Sequence, residues 1–200
     1  MPGKIRPSQD RSSEEILKTE FEYIARTAFQ ANEDHARVSS FFLVAVGSLI
    51  AALISTQFLK AIFDPSLIAE AFSGLFLILT ILGTLTTLQL SRLRAAWYDS
   101  MLAMDQLKDY WIQKSKSGDL KEAFRWKTGT LPRKYKINSV SFFQTVEVAL
   151  LSGITFGAAV YFLQKGIGYA CPACNWAYTF SFGFLAFFIE LWIYKLNLGA

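Results

Sequence analysis

The chain has 200 residues, of which 52% are apolar and 16% aromatic, and it carries a net charge of +4. Such a composition needs lipid to shelter it, which excludes an ordinary soluble domain. A lone histidine cannot build a catalytic or metal cluster, and the sequence has no Gly-rich phosphate loop, no nucleophile elbow and no HExxH.

Residues 1–11 contain Pro2, Gly3 and Pro7 among mixed charges and read as a flexible start. Ser12 followed by Glu15 forms a capping box that predicts a helix opening there and running on without a break. Along it Leu17, Phe21, Ile24, Ala28, Ala31, His35 and Val38 recur at alternating spacings of four and three, a coiled-coil-like seam. The first 37 residues are too charged for a secretory signal, so the apolar block that follows, Val38 to Leu59, is expected to be an uncleaved anchor. Further apolar blocks run from Ile68 to Leu90, from Val140 to Leu163 and from Ala177 to Tyr194. At 1.5 Å per residue each can cross the roughly 30 Å of bilayer hydrocarbon.

The second block continues into a polar stretch in which Leu90, Leu93, Trp97, Met101, Met104, Lys108 and Trp111 repeat the seam spacing, with Asp99, Asp105 and Asp109 facing elsewhere. These two water-exposed extensions are expected to pair antiparallel. Leu120 to Trp126 then forms a short amphipathic segment suited to the inner leaflet. Beyond Pro132, the residues Arg133, Lys134 and Lys136 make a basic collar before the third span; with Arg125 and Lys127 they are the expected lipid or partner contacts.

Six Lys and Arg residues lie in 1–37 and eleven between Arg92 and Lys136, whereas the two other loops hold only Lys60 and Lys165. The positive-inside rule therefore keeps both termini and the central loop in the cytoplasm. The expected organisation is an all-α polytopic protein of the inner (plasma) membrane with four transmembrane helices. It has an N-terminal helix at 1–37, a hairpin at 38–91, a basic linker at 92–139, a second hairpin at 140–195 and a tail at 196–200. The charge reads as topology plus contact with an anionic leaflet, not as nucleic-acid binding, since the basic residues are not interleaved with aromatics for base stacking.

The helix-into-span layout of residues 13–112 resembles small bacterial defence effectors of the SLATT type, which typically carry two spans. That resemblance implies an oligomer whose cytoplasmic helices are held shut or opened by a soluble sensor or enzyme, and which damages the membrane on activation.

Glu147 and Glu190 are the sharpest residue-level signals, because charge inside a span is costly and turns toward protein or water. Both fall within about two turns of the inner surface, which makes them candidate neighbours in an ion pathway or snorkelling carboxylates. Thr80, Thr84, Thr87 and Gln89 line one side of the second span, as pathway or as interhelical glue. A shift of 101 residues brings Ser48, Ala52 and Thr56 onto Ala149, Gly153 and Gly157, two small-xxx-small triplets suited to close helix packing.

Cys171 and Cys174 stand in the second outer loop, where an oxidising compartment favours a disulfide. Quinone-coupled four-helix oxidoreductases also carry an outer CxxC, but this chain has no second pair to relay electrons, so a local staple fits the count better. Three functions stay open: a homo-oligomeric pore with no enzymatic role and no cofactor, a structural subunit that recruits a cytoplasmic protein, and a thiol-disulfide enzyme.

Overall fold

A computed structural model of the chain describes residues 7–55, 64–115, 122, 128–168 and 171–199. Its described residues form four long helices: α1 (Pro7–Ser55), α2 (Pro65–Ser115), α3 (Val140–Gly166) and α4 (Pro172–Asn197), with a short 3-10 turn at Thr128–Thr130. All four are long and apolar enough to cross a membrane, the pattern of a multi-pass membrane protein.

The helix starts follow local chemistry. Helix α1 begins at Pro7, ahead of the capping box at Ser12, because proline at a first helical position has its φ preset and gives up only an orphan N–H. Asp64 starts α2: its Oδ1 accepts from the Ser66 N–H at 3.1 Å, and Pro65 follows it as the first helical residue. Ser139 caps α3 by accepting from the Phe142 N–H at 3.2 Å, and the Cys171 sulfur accepts from the Cys174 N–H at 3.4 Å at the start of α4.

Two compact units divide the chain, one made of residues 1–34 and 93–134 and the other of 35–92 and 135–200. In the first, Ile24, Ala28 and Ala31 of the expected seam are buried. Asp105 departs from the expectation that it faces outward: it is 0% exposed, because Lys108 Nζ sits 2.7 Å from its Oδ1 and offsets its charge. Lys114 Nζ lies 3.5 Å from Glu14 Oε1, and Lys134 Nζ lies 3.7 Å from Asp99.

The second unit holds an apolar core of Phe42 and Val46 from α1, Phe72, Phe76, Leu79 and Leu90 from α2, and Val148 and Ala159 from α3. Phe162 closes it by stacking on Phe76, with ring centroids 5.7 Å apart. Helices α3 and α4 meet at glycines: a Cβ on Gly153 would lie 2.7 Å from the Gly183 carbonyl oxygen, and one on Gly157 would lie 2.9 Å from the Thr179 carbonyl oxygen. The outer face is apolar; Phe41, Val140, Phe184, Phe188 and Trp192 are all exposed.

Candidate functional site

Inside the second unit, a line of hydroxyls on α2 faces another on α3. Ser73 Oγ donates to the Ala159 carbonyl at 2.9 Å, and Thr80 Oγ1 lies 3.0 Å from Thr155 Oγ1. The helices approach this closely because residue 83 is glycine; a Cβ there would lie 2.6 Å from Ser152 Oγ and 2.9 Å from the Phe42 ring. Short polar side chains at helical spacing, next to a residue with no side chain, place donors where another helix can use them.

Helix α4 supplies the group that uses them. Glu190 is 2% exposed. Its Oε1 accepts from Thr84 Oγ1 at 3.1 Å and from the Ser152 hydroxyl, and its Oε2 accepts from Thr87 Oγ1 at 2.9 Å. Three of the roughly four acceptor positions of a carboxylate are thus filled by hydroxyls. Among the described residues no basic side chain is bonded to it, so charge on this group is offset by hydroxyl dipoles alone. Two of the three donors also reach a second acceptor: the Thr80 carbonyl lies 3.2 Å from Thr84 Oγ1 and 3.4 Å from Ser152 Oγ.

One turn further along α4, Tyr194 is also buried. Its hydroxyl lies 3.4 Å from Ser141 Oγ, which in turn sits 2.7 Å from Nε2 of His35, the buried histidine of α1. The first residue of the inward-facing polar group on α3 is therefore Ser141, and Thr145, Ser152 and Thr155 follow it, all buried.

Of the expected pathway residues, the structure brings together Glu190, Thr80, Thr84 and Thr87. Glu147 does not join them: it is exposed, in line with the exposed Phe143, Leu150 and Ile154 on the other face of α3. Gln89 also points outward. Ala149, Gly153 and Gly157 are buried within the chain, and the latter two serve α3–α4 packing. Ser48 and Ala52 are exposed, the Ser48 hydroxyl bonding its own helix at Val44; Thr56 lies outside the described residues, as do Arg125, Lys127 and all but residue 122 of the amphipathic segment. Arg133 and Lys136 are exposed, and the Lys134 ammonium sits 5.8 Å from the Tyr98 ring. A disulfide joins Cys171 and Cys174. Among the described residues no three His, Cys, Asp or Glu side chains gather as metal ligands.

Sequence reasoning missed Ser152, Thr155, Gly83 and Gly183. The signal for Ser152 and Thr155 is the run of small and hydroxylated residues Ser141, Thr145, Ala149, Ser152, Thr155 and Ala159 at spacings of three and four, a polar stripe along α3 that matches the hydroxyl stripe of α2; the two glycines lie on other helices and carry no such signal. No protein-family model matches this chain, and neither does any curated protein or solved structure.

Proposed function

We propose that this chain is a homo-oligomeric inner-membrane protein that passes a small cation, with its charged N-terminal and linker helices in the cytoplasm as the control element. The observation that carries this reading is Glu190, buried among the hydroxyls of Thr84, Thr87 and Ser152 with no basic partner among the described residues. A carboxyl group in such surroundings is expensive as mere packing, since an apolar residue of similar volume would fill the space without desolvating a charge. The path runs through the helices of each subunit, because Glu190 is enclosed by its own chain and is not offered to a ring of acids between copies. Exposed apolar faces, and the small residues Ser48 and Ala52, give the spans surfaces for lipid and for further copies. Control by a soluble partner is what the resemblance of residues 13–112 to SLATT-type effectors implies.

Purified protein in liposomes tests this reading. Wild type carries cations, Glu190→Gln does not, and Glu147→Gln retains the wild-type rate; no flux from the wild type in any oligomeric state removes the reading.

One observation favours the structural-subunit alternative. Glu14, Glu15, Leu17, Lys18, Phe21, Lys108 and Trp111 line a groove of about 540 Å³ in the first unit, and it mixes an apolar floor with charges of both signs as partner-binding surfaces do. A cytoplasmic protein that co-purifies with the wild type and is lost from Trp111→Ala, with ion flux absent from both, would replace conduction by recruitment.

A further inference from the structure

We infer that the cation taken up at Glu190 is a proton, and that Thr84 is the pivot which lets the site accept it without moving its helices. This rests on the conduction reading above and names its ion.

The hydrogen-bond count distinguishes two states. With the carboxylate charged, Thr84, Thr87 and Ser152 all donate to it. When a proton arrives from water and adds to Oε1, the new O–H needs an acceptor. Thr84 Oγ1, at 3.1 Å, becomes that acceptor once its own hydrogen turns to the Thr80 carbonyl at 3.2 Å. Ser152 and Thr87 keep donating as before. Every donor then has a partner in both states, the carboxyl changes from −1 to neutral, and the proton leaves again to water by the reverse rotation. Hydroxyl rotation is fast and nearly free, whereas an unpaired buried donor costs about 1–3 kcal/mol.

A bound metal ion gives a different count. Coordinated by Glu190 Oε1 with Thr84 and Ser152, it turns those two hydrogens to the Thr80 carbonyl while Thr87 keeps donating to Oε2. That leaves it one carboxylate oxygen and two hydroxyls, and among the described residues no group of three His, Cys, Asp or Glu side chains gathers as a ligand set. The proton needs only the one acceptor that Thr84 provides.

The groups around Glu190 agree. Among the described residues, helix α2 gives it the hydroxyls of Thr84 and Thr87. Helix α3 gives it the hydroxyl of Ser152, with Glu147 on the outer face. On α4 itself the neighbouring titratable group is Tyr194, and α1 brings His35 to Ser141 beside that tyrosine. No fixed positive charge among these locks the carboxylate in its ionised form.

The test uses the full chain in liposomes loaded with a pH-sensitive dye, under separate proton, sodium and potassium gradients. Expected are proton flux by the wild type, a loss of about a hundredfold in Glu190→Gln, comparable to removing a positioned proton-transfer group, and a similar loss in Thr84→Val. Thr84→Ser, which keeps the pivoting hydroxyl, stays within about threefold of wild type by the same reasoning. Sodium or potassium flux without proton flux overturns the inference but leaves conduction standing. Absence of any flux removes conduction, and infrared spectroscopy then decides the proton site alone. A carboxyl band that is missing from Glu190→Gln and titrates with pH upholds it, and a Glu190 band that does not change across the range in which the fold survives overturns it.

Discussion

Replacing Gly153 by alanine sets a methyl group 2.7 Å from the Gly183 carbonyl oxygen and 3.2 Å from Phe187 Cβ. The first distance is about 0.7 Å short of ordinary contact, and its partner is backbone, so relief comes only from moving α4 as a body. Overpacking of this kind costs about 1–3 kcal/mol, against which alanine returns at most about 1 kcal/mol of helix propensity. Gly47→Ala is the internal control, since nothing lies within 4 Å of its added methyl and only the favourable term applies. Thermal unfolding in detergent, followed by circular dichroism, should rank Gly153→Ala below wild type and Gly47→Ala level with it or above. Gly183→Ala directs its methyl 2.9 Å from the Gly153 carbonyl oxygen, so both variants ask for one displacement. The double variant should therefore lose less than the two singles together. The same displacement carries Glu190, two turns along α4 from Gly183, away from Ser152, so ion flux should fall in step with stability. A Gly153→Ala protein that melts with Gly47→Ala would refute the close crossing and the geometry it gives the carboxylate.

Glu190→Leu removes the acceptor of three hydroxyls, two of which still reach the Thr80 carbonyl; the stranded Thr87 costs about 1–3 kcal/mol, and Glu190→Leu combined with Thr87→Val should recover most of that loss by thermal unfolding. Lys108→Met leaves Asp105 buried without its counter-charge and should lower stability by about 3 kcal/mol, while Asp105→Asn, which removes the charge itself, should cost far less in the same melt. Changing both cysteines to serine opens a four-residue loop whose closure contributes about 2 kcal/mol at most and leaves serine to cap α4. Flux and helix content should persist in that variant, and loss of flux with the fold intact would return the Cys171–Cys174 disulfide to the functional machinery.

The four apolar blocks were legible because lipid-facing helices are oily on every side, which leaves a continuous run that no loop imitates. The seam was legible from Ile24 to His35 because a buried stripe repeats at the helical period. Glu190 stood out for its charge, and Thr80, Thr84 and Thr87 for their spacing. What the sequence hid was rotation about the helix axis. Glu147 and Glu190 look alike on paper, yet one faces outward and the other is enclosed, since a carboxylate stands out by its charge whichever way it turns, and only the fainter stripe of Ser and Thr on α3 marks the side that faces in. Asp105 was hidden for a related reason: a carboxylate buried beside its own lysine has the same letters as one in water. Ser152 and Gly83 matter only as a pair across two helices, and that adjacency exists nowhere along the chain.

Because no lysine or arginine among the described residues cancels Glu190, its charge, when present, stands alone in a medium of low dielectric. In the bilayer proposed here such a group senses transmembrane voltage. An elementary charge crossing the full membrane exchanges about 2.3 kcal/mol per 100 mV, so a site one third of the way through the drop would change its protonation equilibrium about fourfold for the same step. A cell that lost its resting voltage would thereby alter the occupancy of this site with no messenger and no change in pH.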